Sequence, residues 1–412
     1  EWLERPKSAE DRSMIESYRV SSFIDFMKVR THVGNAAPTT WFVGRPLKDS
    51  GNFNIDFLKV VHTTAASLSS AFIHGAAECK LVMEGLTSNQ MLEYMHHMAA
   101  QVSRNKAKQY LSAAFPLNTP LTDDRPEVMA ANGGKPKVIT DKYEIGKTGV
   151  ILTAMGGFDK VTFDGAGDVY PSVNVLEQLG RAEAVDLVHL AHERGLMTYY
   201  SAGFKIKDDS IAKAVLTGTD GVGIGGAQVL RFMDHNSGMH GPYQEENLPI
   251  ILGLRNAAQE TVLGRGVLLL CRLDRMYFEG TISVPENQQR MVLLKELQAD
   301  NEANVEGILS DLAHIVEMPD DGEKPMCGYF RRMLRATEPL IKDPAVMEVG
   351  EKGWKLICSK VKALLAADDE EELWDVYSMD PFLSWRHSCH EEGSLRMRSK
   401  LKLGKQTRHL LE

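Results

Sequence analysis

Helix-like stretches and short apolar runs alternate through the middle of the chain. Three helical stretches each lead into an apolar run: 143–157 into 158–164, 182–194 into 196–201, and 208–216 into 220–224. Apolar runs of this length, bounded by glycine, predict buried strands. Strands that alternate with helices predict parallel βαβ units, so this region is expected to have an α/β fold.

The pattern is less regular on either side. Phe23–Val29 is apolar enough to predict a buried strand, and 54–114 has helical spacing with room for a short strand at its end. The polar Pro/Gly-containing stretch 116–136 predicts a long loop, either a lid or an insertion. Beyond Pro249 the pattern is helical, which predicts an α-helical carboxyl-terminal region.

Composition narrows the class of protein. The chain has 412 residues, of which 43% are hydrophobic and 25% charged, which is the usual composition of a soluble globular protein. This length allows one large domain with a smaller one, or three small domains. Its net charge of -9 argues against a nucleic-acid partner, because binding to phosphates requires a basic surface. No apolar run is long enough to span a bilayer.

Cysteine usage indicates the compartment and argues against a zinc site. The five cysteines are odd in number and widely spaced, which predicts reduced thiols rather than disulfides or zinc ligands. We therefore expect the cytoplasm or another reducing intracellular compartment. The chain opens at Glu1 rather than methionine, so we expect trimming, with any targeting segment outside the sequence. We expect neither a metal nor an organic cofactor.

Lys160 lies inside the apolar run 158–164 and is the first candidate for chemistry. An ammonium is costly to bury unless it is paired or used. Burial favours the neutral amine of a lysine, which can form a Schiff base with a carbonyl substrate. A structural alternative stays open, in which Lys160 pairs with Asp159 or Asp164 and only stabilises the fold.

Two glycine-containing strand ends follow Lys160 and are candidates for phosphate binding. Small residues there let backbone N–H groups approach an anion closely. Phosphate sites of (β/α)8 barrels use the loops after strands seven and eight. The candidate residues are Ala202, Gly203, Phe204, Gly223, Gly225, Gly226 and Ala227. A nucleotide P-loop and a dinucleotide-binding fold both fit these glycines poorly.

Three residues are candidates for proton transfer. Asp164 ends the Lys160 run and is expected to point into the mouth of a barrel, where it could serve as a general acid or base. His235 and His240 lie in a glycine-containing loop just beyond the last glycine run. They are possible acid/base groups, and a surface loop that caps the barrel is an equally open interpretation.

The run Ala154–Val161, with the later segments 188–203 and 220–227, resembles the (5-formylfuran-3-yl)methyl phosphate synthases, barrels that condense two triose phosphates. Deoxyribose-phosphate-aldolase-like barrels share the same arrangement. The resemblance covers residues 140–232 and implies a Schiff-base role for Lys160. It also implies a role for Lys28, because the synthases carry a lysine in their first strand.

These observations together predict an α/β protein built on a (β/α)8 TIM-type barrel. We expect an amino-terminal arm at 1–19, the barrel at 20–245 with a helical insertion at about 50–105, and a helical region at 246–412. The expected function is that of a lyase of aldolase type that acts on a phosphorylated carbonyl compound through Lys160, Asp164 and Lys28.

Two other functions remain open. A barrel without activity could serve as a scaffold or assembly subunit, with the carboxyl-terminal helices forming either an internal core or a homo-oligomer interface. Binding of a flavin at the phosphate turns would give a yellow protein.

Overall fold

A computed structural model gives the architecture of the chain. The residues that it describes are 23–34, 40–43, 52–106, 108–165, 173–224, 229–233, 240–319, 324–337 and 351–378. Packing divides the chain into two compact units, Glu1–Val267 and Leu268–Glu412. The predicted boundaries at 19 and 245 remain predictions.

The first unit is built around a parallel six-stranded sheet. Its strands are β1 (Thr40–Val43), β2 (Glu78–Val82), β3 (Tyr110–Pro116), β6 (Lys160–Asp164), β7 (Met197–Ser201) and β8 (Gly221–Gly223). Across the sheet they lie in the order β1-β2-β3-β6-β7-β8. Two antiparallel pairs accompany it: β4 (Leu121–Asp123) with β5 (Lys137–Ile139), and β9 (Arg231–Met233) with β10 (His240–Tyr243).

Helices connect successive strands of the parallel sheet, as the alternating pattern predicts. The helices that lie in the first unit are α1 (Phe23–Val33), α2 (Phe53–Ile73), α3 (Ser88–Gln101), α4 (Pro126–Ala131), α5 (Lys142–Met155), α6 (Arg181–His192), α7 (Ser210–Val215) and α8 (Asn247–Glu260). A 3₁₀ turn at Val175–Glu177 precedes α6. The fold is therefore mixed α/β with a parallel central sheet.

The division between the units falls within α9 (Val262–Glu279). The helices after it are α10 (Val284–Gln298), α11 (Glu302–Asp311), α12 (Ala313–Val316), α13 (Pro325–Thr337), α14 (Glu351–Ala367) and α15 (Glu370–Ser378). Aromatic side chains of α13, including Tyr329 and Phe330, pack with α14 and α15 into an apolar cluster. The prediction of a helical carboxyl-terminal region holds for the described residues.

Local sequence sets the helix boundaries. Thr87 and Gln90 form a capping box at the start of α3, in which each side chain accepts a hydrogen bond from the other residue's backbone N–H group. Asp141 caps α5 in a similar way, accepting from the N–H group of Glu144 at 2.9 Å. These caps fix the residues at which α3 and α5 begin.

The central sheet has one apolar face and one polar face, because successive side chains of a strand point to opposite sides. The apolar face is buried against the connecting helices and includes Leu111, Phe115, Val161, Phe163 and Tyr200, each exposed by 1% or less. This layer supplies the core of the first unit. The polar face carries the candidate chemistry.

The structure corrects two predictions in the amino-terminal half. Phe23–Val29 was expected to be a strand, but it lies in the helix α1; its apolar residues Phe23, Phe26 and Met27 recur at helical spacing. The region at about 50–105 was expected to be a helical insertion, but it contains β2, a central strand of the sheet. Alternation of polar and apolar residues in β2 is typical of a strand with two different faces.

Candidate functional site

Polar side chains from adjacent strands meet on one face of the central sheet. Lys80 of β2, Ser112 of β3 and Lys160 of β6 lie in the same lateral row of the pairing register. Thr162 and Tyr199 form the next row toward the carboxyl ends of the strands. Ser112 and Thr162 are fully buried, and their hydroxyl groups hydrogen-bond at 2.9 Å. A row of this kind on a buried face is a candidate site rather than a plain core.

Lys160 forms a buried ion pair with Glu78, the first residue of β2. The distance from Lys160 Nζ to Glu78 Oε2 is 2.7 Å, and each side chain is only 11% exposed. Little water screens a pair at this depth. The carboxylate stands close enough to accept a proton from the ammonium, so the pair could either stabilise the sheet or release a neutral amine.

The structural alternative for Lys160 named Asp159 and Asp164 as partners, but the structure pairs Lys160 with Glu78 instead. Asp159 belongs to a different pair: its carboxylate lies 2.6 Å from Arg104 Nη1 and accepts a hydrogen bond from the backbone of Leu111 at 2.8 Å. Burial raises the pKa of Asp159, although Arg104 acts in the opposite direction. This second pair anchors the start of β6.

The Tyr199 ring lies between two lysine ammonium groups and two glycines. Lys160 Nζ is 4.4 Å and Lys80 Nζ is 5.4 Å from the ring centroid, both within the range of a cation–π interaction. The ring is packed over β8, where a Cβ atom on Gly221 or Gly223 would approach ring carbons within 2.8 Å and 3.2 Å. The glycines therefore make room for the tyrosine.

The amine of Lys160 lies between the carboxylate of Glu78, the first residue of β2, and the ring of Tyr199. Lys160 is the first residue of β6, but its Nζ reaches a ring that lies level with Gly221 and Gly223. Asp164 is the last residue of β6 and lies on the same face, about 13 Å from Lys160 along the strand, at 3.3 Å per residue. The two predicted catalytic residues lie on the same face, at opposite ends of β6.

The carboxyl end of β7 forms a tight turn at the predicted phosphate-binding residues. Ala202 has φ 88° and Gly203 has φ 75°, a conformation that side-chain-bearing residues rarely adopt. A Cβ on Gly203 would lie 2.4 Å from Asn174 Cα, so only glycine fits against this neighbouring segment. Strain of this kind at Ala202 is often found at functional sites.

The turn also offers backbone donors. Within the described part of the chain, the N–H groups of Ala202, Gly203 and Phe204 have no acceptor, whereas the next N–H group, that of Lys205, donates to Ser210 Oγ at 3.1 Å. Three consecutive open donors at a strand end suit an anion. The phosphate-binding role of these residues remains a prediction with this geometry in its favour.

The remaining predicted residues are less informative. Lys28 lies on α1 with an exposed side chain, so its expected position on a first strand was wrong. Gly223 ends β8 beside Tyr199, where its phosphate role is untested. The backbone of His240 belongs to β10. His235, Gly225, Gly226, Ala227 and the His240 side chain lie outside the described residues.

Prediction from the sequence missed Glu78, Lys80 and Tyr199. The segment from Glu78 to Leu81 alternates charged and apolar residues, a period of two that predicts a strand. That signal would have placed two ionisable residues on the polar face. Tyr199 stands in a correctly predicted strand, but nothing in the sequence shows that its ring meets both lysines.

Two further findings concern the residues that the structure describes. In that part of the chain, no group of three or more His, Cys, Asp or Glu side chains could hold a metal ion. None of the helices there is long and apolar enough to cross a membrane.

Comparison with models of known protein families finds no match, and comparison with curated proteins finds no significant similarity. Function must therefore be inferred from the geometry of the chain itself.

Proposed function

We propose that the chain is an aldolase-type lyase that acts on a phosphorylated carbonyl compound through a Schiff base on Lys160. The observation that carries this proposal is the position of the Lys160 amine. It lies on the polar face of a parallel sheet, 2.7 Å from the carboxylate of Glu78 and 4.4 Å from the Tyr199 ring centroid. Glu78 would accept the ammonium proton and leave a nucleophilic amine.

The carboxyl end of the sheet supports a phosphorylated substrate. The open N–H groups of Ala202–Phe204 could bind a phosphate group, with Gly225, Gly226 and Ala227 of the next strand end as further candidates. Asp164, at the carboxyl end of β6, would be the proton-transfer group. A phosphate held at this end would leave the rest of a short sugar phosphate directed toward Lys160.

The strand order supports a (β/α)8-type barrel as the complete architecture. Strands of the parallel sheet follow one another in sequence without reversing direction across the sheet, as in a barrel and unlike a doubly wound fold. Among the described residues β1 and β8 do not pair. Closure of the sheet therefore belongs to this proposal, as does the resemblance to Schiff-base barrels.

One observation favours a second candidate, a scaffold without activity. A buried lysine that is fully paired can serve stability alone, and Lys160 has such a pair with Glu78. In that case the carboxyl-terminal helices would carry the assembly role, including any homo-oligomer. The two candidates differ in whether the Lys160 amine reacts.

Borohydride trapping separates them. The protein is incubated with triose phosphates, reduced with borohydride and digested, and the peptide that carries the adduct is identified by mass spectrometry. If the chain is an aldolase-type enzyme, we expect an adduct on Lys160 that is absent from the Lys160→Met variant. A control variant, Lys147→Met, removes a more exposed lysine that lies 2.9 Å from Glu144 and should keep the adduct.

A further inference from the structure

Tyr199 has an exposure and environment that its neighbour Tyr200 does not share. The Tyr200 hydroxyl is fully buried on the apolar face and donates to the carbonyl of Ala184 at 2.9 Å. Tyr199 points to the opposite, polar face and is half-buried. Among the described residues, none hydrogen-bonds to its hydroxyl. One strand therefore presents one structural phenol and one phenol available to a ligand.

The Tyr199 hydroxyl lies close to Gly223 and Ser201. Ser201 Oγ and Tyr199 Oη both lie 3.3 Å from the point where a Cβ on Gly223 would stand, so these two hydroxyl groups share the carboxyl half of the face. The ring below them contacts the ammonium groups of Lys80 and Lys160. A ligand bonded to Lys160 would therefore lie beside the phenol.

We propose that Tyr199 is the acid that protonates the carbonyl oxygen of the substrate when the Lys160 amine attacks the carbonyl carbon. This inference rests on the proposed function. It assigns a catalytic role to a residue of β7 that faces both the amine and the carboxyl half of the polar face.

The protonation state of the phenol suits a donor. Burial, with a smaller effect of the Glu78 and Asp164 carboxylates, raises the pKa of Tyr199 to about 12. The hydroxyl group is therefore protonated throughout the neutral range and cannot act as a base until a proton has left it. A neutral phenol beside a cationic amine can donate without adding charge to the resting site.

Protons and electrons balance through both stages of the reaction. Lys160 Nζ forms a bond to the carbonyl carbon, the π pair moves to oxygen, and the oxygen takes the Tyr199 proton. The ammonium nitrogen of this adduct then returns a proton to the phenolate, which leaves a neutral carbinolamine and a neutral phenol. In the second stage the nitrogen lone pair forms the C=N bond, and the hydroxyl group leaves as water with the phenolic proton. The products are an iminium ion, a phenolate and water.

The test compares the wild-type protein with Tyr199→Phe and, as a matched control, Tyr200→Phe. The probes are dihydroxyacetone phosphate and glyceraldehyde 3-phosphate, and the reaction is quenched with borohydride at successive times. We expect Tyr199→Phe to slow adduct formation by about 100-fold, in the range of general acid catalysis, with little change in Tm. Tyr200→Phe should lower Tm, because a buried hydrogen bond is lost, and leave the rate unchanged.

A second measurement distinguishes a catalytic acid from a residue at position 199 that only contributes to packing. Added imidazolium buffer should accelerate adduct formation in Tyr199→Phe and have little effect on the wild-type protein, because an external acid replaces the missing phenol. Equal rates for Tyr199→Phe and wild type would overturn this inference and leave the proposed function standing. Absence of any adduct on the wild-type protein would overturn both.

Discussion

Replacement of Glu78 by glutamine measures how strongly the Lys160 ion pair stabilises the sheet. The substitution keeps the shape of the side chain but leaves the Lys160 ammonium without its counter-ion at a site where both side chains are only 11% exposed. Removal of one partner of a buried pair costs about 3–5 kcal/mol. The amide oxygen can still accept a hydrogen bond, and the Tyr199 ring still contacts the ammonium, so we expect about 3 kcal/mol.

The assay is urea unfolding followed by circular dichroism, with the slope compared between variants so that the same transition is measured. The double variant Glu78→Gln/Lys160→Met removes the unpaired charge as well. It should therefore be more stable than Glu78→Gln by about 1–3 kcal/mol. The control is Glu144→Gln, whose partner Lys147 lies 2.9 Å away in a pair exposed by 46% and 35%. That control should cost less than about 0.5 kcal/mol.

A loss below about 1 kcal/mol for Glu78→Gln would contradict this prediction, because it would mean that the Lys160 ammonium is solvated or uncharged without Glu78. A double variant no more stable than Glu78→Gln would contradict it as well, since the cost would then come from packing and not from the unpaired charge.

Two further predictions concern the second unit and the β7 turn. Burial would raise the pKa of Glu286, but hydrogen bonds from Arg335 and Ser283 outweigh it and lower that pKa to about 2. The lowered pKa of Glu286 stabilises the folded state by at most about 3 kcal/mol above about pH 4.5, and this stabilisation disappears as the pH falls toward about 2. The free energy of unfolding of Glu286→Gln should therefore not show this loss between about pH 4.5 and about pH 2. Gly203→Ala forces a Cβ to 2.4 Å from Asn174 at positive φ, so the free energy of unfolding in urea should fall by at least about 1 kcal/mol, and an unchanged value would contradict the turn geometry described above.

The regular part of the fold follows from the sequence because its patterns are local. Helical spacing before three short apolar runs predicted α5, α6 and α7 with the strands that follow them. The amino-terminal half is harder to predict. The apolar content of Phe23–Val29 predicts a strand where the structure has a helix, and the helical spacing of 54–114 hides the short alternating run of β2.

The candidate site was only partly predictable, because its contacts join distant parts of the chain. Lys160 was found from its position in an apolar run, but its partner Glu78 is 82 residues away. The pair of Arg104 with Asp159 spans 55 residues. Neither the partner of a buried lysine nor the meeting of Lys80 with Tyr199 can be obtained from a period or a motif, since both depend on strand register.

The decisive measurement for the chemistry of Lys160 is the mass spectrum of the protein after incubation with triose phosphates and borohydride. We predict one covalent adduct on the peptide that contains Lys160, absent from Lys160→Met and retained in Lys147→Met. A well-folded wild-type protein that gives no adduct with any small aldehyde or ketone phosphate would rule out the Schiff base and favour the scaffold.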